Sequence, residues 1–184
     1  MPNPYISGTG FYLPPHVVIN DDLSKYMDTT DEWIQERTGI KERRYVEKGV
    51  GSSDLAIPAT EQALAEAGLQ ISDIELIIFA TSTPDFYAPG AGCLLQEKMG
   101  FNKIGALDIR VQCSGFIYGM SIAEQYIKTG TFKNILLIGA EVQSTAMDLT
   151  DSGRDTAVIF GDGAGAVVIS ATDDDRGILS THMH

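Results

Sequence analysis

The chain has 184 residues and a mass of 19.9 kDa, with 43% hydrophobic residues, 21% charged residues and 19 glycines; that suits one domain with a real core, or part of a larger protein, and excludes a disordered, fibrous or collagen-like chain. A net charge of −12 argues against general binding to nucleic acid or a membrane surface, because phosphate binding needs a positive field, so an anionic ligand must find a local basic patch. No apolar run approaches the roughly 18 residues of a membrane helix, Met1–Ser7 lacks the basic and apolar regions of a secretory signal, and Cys93 and Cys113 are too few for a disulfide framework, so the expectation is a cytoplasmic protein with both cysteines as thiols.

In chain order, the first apolar run, 4–12, reads as a strand. It is followed by the one concentration of positive charge, in which Arg37, Lys41, Arg43, Arg44 and Lys48 are five of the chain's 13 basic residues and follow Trp33. Indole beside guanidinium suits an adenine ring and phosphates. The residues alone favour a plainer reading, a solvated helix end whose charges interleave with Glu36, Glu42 and Glu47.

A helix is predicted over 53–67, bounded by Ser53 and Gly68, although Pro58 removes a backbone donor and invites a kink. Further strands are predicted at 74–81, 104–110, 133–140 and 157–171, the last long enough for two strands or one bent one. Between them, helices are predicted at 91–99, after Pro89-Gly90, and at 114–129, before Gly130. In the second of these, Phe116, Met120, Ala123 and Ile127 form one apolar stripe, and Gly115 and Gly119 permit close approach of a neighbour, as in a buried central helix. Asp173-Asp174-Asp175 before Arg176-Gly177 reads as a hairpin turn leading to a strand near Ile178, and the strand-like sequence running to His184 does not read as the end of a finished domain. The alternation of strands and helices predicts an α/β fold around a largely parallel sheet.

Cys113 falls between the strand ending at Val111 and the helix beginning near Ser114. Free N–H groups and the positive end of a helix dipole favour a thiolate at such a junction, and the same N–H groups can stabilise the oxyanion formed when a thiol attacks a thioester. Against this stands the commoner role of cysteine as a small buried hydrophobe, which is the reading taken for Cys93, inside the predicted helix 91–99.

Two other patterns carry no site. Gly161-Asp162-Gly163-Ala164-Gly165-Ala166 has glycines spaced as in a dinucleotide fingerprint, but Val167-Val168-Ile169 continues as strand where that motif needs a helix. His182 and His184 would share one side of a strand, but without a third ligand they are weak evidence for a metal.

Four motifs together resemble the 3-oxoacyl-[acyl-carrier-protein] synthases III of the thiolase-like superfamily. They are Ile6-Ser7-Gly8-Thr9-Gly10 with Leu13-Pro14; Asp31-Glu32-Trp33-Ile34 followed by Arg37-Thr38-Gly39-Ile40; Asp108-Ile109 leading to Cys113-Ser114-Gly115-Phe116; and Phe160-Gly161-Asp162-Gly163-Ala164-Gly165-Ala166. They run in order along essentially the whole chain. The resemblance implies a thiolase-like fold, of which 1–184 is the N-terminal half of a duplicated five-stranded α/β architecture. It implies Cys113 as the nucleophile that takes an acyl group from acyl-coenzyme A, and condensation of that group with malonyl-acyl carrier protein to start fatty-acid synthesis. It gives Trp33, Arg37 and Arg154 to coenzyme A binding, and makes the glycine-rich run a tight turn between strands.

Further implications are a homodimer of full-length chains and no cofactor or metal. In the family the position of Ala88 reaches across the dimer toward the partner's acyl pocket and is often bulky, so alanine implies a roomier pocket and starters longer than acetyl. The segment Ser144–Gly153 is slightly longer than the family's usual form. The histidine and asparagine that stabilise the enolate lie in a C-terminal half outside these 184 residues, so a complementary segment is expected as a partner. Relatives on this fold that use coenzyme A in place of carrier protein, in polyketide, head-to-head or 3-hydroxy-3-methylglutaryl-coenzyme A synthesis, are the alternative, as is a non-catalytic supporting subunit.

Overall fold

The computed structural model describes residues 1–101 and 103–183. His184 therefore lies outside the described residues, and His182 is exposed, within 3.0 Å of the Ser180 hydroxyl.

The chain forms β1 (Asn3–Tyr12), β2 (His16–Ile19), α1 (Asn20–Leu23), α2 (Asp31–Thr38), β3 (Glu42–Tyr45), α3 (Ser52–Ala67), β4 (Leu76–Ala80), α4 (Ala91–Met99), β5 (Gly105–Ile109), α5 (Gly115–Lys128), β6 (Asn134–Glu141), α6 (Arg154–Ala157) and β7 (Gly163–Thr172). A five-stranded sheet takes the order β1-β7-β6-β4-β5, and β2 and β3 form a separate antiparallel hairpin. Every residue of β4 is buried, as expected of a strand with a neighbour on each edge and helices on both faces. Ile77 and Phe79 point to one core with Leu136, Ile138 and residues of α3 and α4, while Leu76 and Ile78 point to the other with Leu137, Ala123 and Ile127. Period-two alternation thus divides one continuous apolar run between two layers.

The sheet is mixed, which corrects the largely parallel expectation. β4 runs parallel to β5 and β6, whereas β7 is antiparallel to β6 and β1. Parallel neighbours need a crossover, and α4 and α5 supply it. Between β6 and β7 the only α-helix is the four-residue α6, whose Ala157 joins a third cluster with Val18, Leu23, Met27, Ile34 and Val158 rather than the sheet. The chain therefore returns antiparallel. The predicted strand 157–171 is shortened for the same reason. Asp162 is buried, accepts from the N–H of Val46 and of Ser144, and donates its own N–H to the Arg44 carbonyl. These bonds tie the entry to β7 onto β3 and the loop after β6. Gly163–Ala166 already lie within β7, so the glycine-rich run is a strand entry and not a turn between strands.

Three other expectations change. Helix α3 runs unbroken through Pro58, because Leu55, Ala56, Ala59 and Ala63 are packed on the sheet and that burial outweighs a missing hydrogen bond. Helix α5 is buried on one face only. Ala123 and Ile127 are buried and Ile117, Tyr118 and Tyr126 exposed. The aspartates at 173–175 form a bend, and residues 178–183 are not a strand, although the Ile178 N–H donates to the Pro4 carbonyl.

Candidate active site

The nucleophile candidate stands on a turn between sheet and helix. After β5, Gln112 takes a left-handed φ of 50°, the one positive φ at a non-glycine among the described residues. This conformation costs an L-residue about 1–2 kcal/mol, and it turns the chain from strand direction into a 3-10 turn over Gln112–Ser114 that runs into α5. The Ser114 hydroxyl donates to the Val111 carbonyl at 2.7 Å, bracing the turn from inside. Cys113 is exposed there, just before the start of a 14-residue helix, where the dipole favours negative charge.

Close packing fixes the helix. A Cβ on Gly119 would come within 2.4 Å of Leu137 Cδ1 and 3.3 Å of Ile109 Cδ1, and one on Gly115 within 3.1 Å of the Ala80 Cβ. Hydrogen at these positions lets α5 lie directly against β4, β5 and β6, as the two glycines led one to expect. Cys93 is also exposed, on α4, contrary to the buried role expected of it. It is the third residue of its helix, in the first turn, where its N–H donates to the Gly90 carbonyl.

The second group assembles on the third cluster. Thr30 caps α2, its hydroxyl oxygen accepting the Trp33 N–H at 3.1 Å, and Trp33 packs against that cluster. The Arg37 guanidinium carbon lies 4.3 Å from the Trp33 ring centroid and that of Arg154 4.7 Å from it. Both distances are within cation–π range. The structure therefore brings together Trp33, Arg37 and Arg154, although the arginines come from opposite ends of the chain. Two other arginines of the basic cluster have partners of their own. Arg43 is buried and donates to the Val18 and Val158 carbonyls and to Asn20 Oδ1, a scaffold role that burial accompanies by lowering its pKa. Arg44 pairs with Glu42 at 2.9 Å, and Lys41 and Lys48 are exposed.

Ala88 lies in the exposed segment that follows β4, beside Phe86 and Tyr87, which are 61% and 98% exposed. Three carboxylates to which the sequence assigns no role pin this segment. Glu141 accepts from the Ser82 N–H and the Thr83 hydroxyl. Asp85 accepts from both hydroxyls of Ser52 and Ser53 and from the Ser53 N–H, at the start of α3. Asp108 accepts from the N–H groups of Ala91 and Gly92, at the start of α4. Lys98 joins the second of these, donating to Ser53 Oγ and Asp54. Burial pushes the Asp54 carboxyl up, but the Lys98 ammonium and the Gly51 N–H outweigh it and leave the pKa lowered. Arg110 donates to the Ser82 carbonyl at 3.2 Å, linking the segment after β5, which carries Cys113, to the one after β4. The signal available in the sequence was position: Asp108 and Glu141 stand at or next to the C-terminal ends of predicted strands.

Among the described residues no group of three or more His, Cys, Asp or Glu is arranged to hold a metal, and no helix is long and apolar enough to cross a membrane.

Residues 107–184 match the family 3-Oxoacyl-[acyl-carrier-protein (ACP)] synthase III. The chain is 49% identical over 179 residues to a beta-ketoacyl-[acyl-carrier-protein] synthase III of Xanthomonas campestris pv. campestris, covering 97% of this chain and 54% of that protein. Its fold is similar to the crystal structure of a 3-oxoacyl-[acyl-carrier-protein] synthase III from Aquifex aeolicus, with a TM-score of 0.89 and 48% identity over 93% of this chain and 55% of the other. It is also similar to a priming beta-ketosynthase of the R1128 polyketide pathway, with a TM-score of 0.88 and 30% identity over 94% of this chain and 51% of that one. The chain thus spans about half the length of the relatives it matches.

Proposed function

We propose that this chain, which belongs to the 3-oxoacyl-[acyl-carrier-protein] synthase III family, is the nucleophile-bearing half of a cytoplasmic condensing enzyme that starts fatty-acid synthesis. The observation that carries the proposal is Cys113, exposed on a left-handed turn at the start of α5. In the first step its thiolate attacks the carbonyl of an acyl-coenzyme A. A C–S bond forms, the carbonyl electrons move to oxygen, and N–H groups at the helix start stabilise that oxyanion. Collapse expels coenzyme A as a thiolate and leaves the acyl group on Cys113. Trp33, Arg37 and Arg154 hold the nucleotide end of coenzyme A, the indole offering a stacking face and the guanidiniums charge for its phosphates.

In the second step malonyl-acyl carrier protein loses carbon dioxide, and the resulting carbanion attacks the acyl carbon. The Cys113 thiolate leaves and 3-oxoacyl-carrier protein is formed. The groups that stabilise the enolate come from a complementary segment, and the working unit is a dimer of full-length chains. Ala88 faces the acyl pocket of the other copy and leaves it room for starters longer than acetyl. The likeness to a priming polyketide ketosynthase supports a second reading of the pathway, with the same first step.

Intact mass of the full-length protein after incubation with acetyl- and octanoyl-coenzyme A is the test. One acyl adduct, absent in Cys113→Ala, is expected, with the octanoyl adduct forming at least as readily as the acetyl. No adduct would overturn the assignment of Cys113, and a clear preference for acetyl would overturn that of Ala88.

A further inference from the structure

Arg154 reaches Trp33 from a turn that is built around one carboxylate and fastened to a single peptide. Asp148 accepts from the Thr150 N–H at 3.1 Å, the Thr150 hydroxyl at 2.7 Å and the Ser152 hydroxyl at 2.7 Å. These bonds fold 148–152 onto itself. Its Thr150 and Ser152 donors hold the Asp148 carboxyl below the usual aspartate range. Gly153 closes the turn against the Asp148 carbonyl, which a Cβ there would meet at 2.0 Å, so no other residue fits without opening it. Arg154 follows directly.

The same turn grips the segment that leads into α2. Asp151 Oδ1 accepts the Asp28 N–H at 2.6 Å, and Arg154 Nη1 donates to the Asp28 carbonyl at 3.0 Å. Asp28 stands two residues before Thr30, the cap that fixes the start of the helix carrying Trp33. Two hydrogen bonds to one residue, one to each side of its backbone, therefore set the position of the Arg154 side chain relative to the indole. Arg154 has other freedom available, since its only ion pair is a 3.5 Å contact with the exposed Asp155 among the described residues. A long side chain on an exposed surface loses rotamer entropy when it is held in one geometry, and the turn lowers that cost before ligand arrives.

We infer that Asp148 and Asp151 are positioning residues for coenzyme A, holding Arg154 over Trp33 so that the nucleotide meets a formed clamp. This rests on the functional reading above. It predicts that the two aspartates act on affinity for the nucleotide and not on the acyl-transfer chemistry at Cys113.

The test compares two acyl donors in the full-length enzyme, acetyl-coenzyme A and the acetyl thioester of N-acetylcysteamine, which has the reacting group and no nucleotide. Asp151→Ala and Asp148→Ala should each raise KM for acetyl-coenzyme A about tenfold with kcat within about twofold, and leave the rate with the short thioester within about twofold. Asp151→Asn, whose amide oxygen still accepts the Asp28 N–H, should recover most of the affinity. Calorimetric titration of the full-length enzyme with coenzyme A gives the same affinities without turnover. An equal loss on both donors would mean general damage and would overturn the inference. Arg154→Ala separates the two levels of the argument. If it raises KM while the aspartate variants do not, the positioning role alone falls; if it too has no effect, the coenzyme A clamp falls and the positioning role with it.

Discussion

The two parts of the site are built by opposite means. The Cys113 turn is local: a strand, a left-handed residue and a helix follow one another within a few positions, and the sheet and α5 hold them through apolar packing at Gly115 and Gly119. The Trp33 clamp is non-local. Its two sides lie 126 residues apart at Asp28 and Arg154, and exposed hydrogen bonds and ring contacts hold them together. Packing without voids gives rigidity and makes any added volume costly. Exposed polar contacts are worth less each and can be lost one at a time. A nucleophile needs the first kind of support, and a clamp that must admit and release a large ligand needs the second.

The contrast can be broken most completely at its rigid end. Cys113→Ala should abolish the acyl adduct in intact-mass measurements, whereas Cys93→Ala, which removes the other exposed thiol, should leave it. Next in size, Gly119→Val should force α5 away from Leu137 and Ile109. A stability loss of about 1–3 kcal/mol in urea titration is expected from overpacking, together with a fall in kcat, because the start of the helix moves with it. On the flexible side, Arg154→Ala should raise KM for acyl-coenzyme A about tenfold with little change in unfolding midpoint. Thr30→Ala removes the cap of α2; about 1 kcal/mol is expected, read as a lower melting temperature with an intermediate rise in KM.

The smallest effect is with pH, and it too falls on the flexible side. The pKa of Asp148 is lowered by its Thr150 and Ser152 hydrogen bonds, and that of Asp31, on α2, by Asn20 and Gln35, from a reference value of 3.8. A depressed carboxyl contributes stability that is present above its unfolded pKa and is lost as pH falls through the folded one. Coenzyme A affinity followed by calorimetry should therefore hold down to about pH 4 and weaken below it, and Asp148→Asn should flatten that acid limb.

What was legible in the sequence follows the same division. Apolar runs and glycines located β1, β4, β5, β6 and the long helices to within a few residues, and the strand-to-helix junction pointed to Cys113, because those signals are carried by neighbours in the chain. Arg154 could be reached only through resemblance, since nothing near Gly153 says that the turn will meet Trp33. The direction of β7 was misread because antiparallel return depends on α6 packing with Val18 and Ile34 instead of on the sheet, a fact of tertiary contact. The carboxylates of Asp85, Asp108 and Glu141 look like ordinary surface charges until the N–H groups and hydroxyls that they accept from are in place.

The position of β4 has a consequence in time. Its amides and carbonyls are paired with strands on both sides, and all five of its side chains are buried, so its hydrogens should exchange with solvent only when the whole sheet opens. The turn over 148–153 is held at the surface, by local bonds to Asp148 and one long-range bond from Asp28 to Asp151, and should exchange far sooner. Many openings of the ligand-gathering side would then pass for each disturbance of the strand beneath the nucleophile.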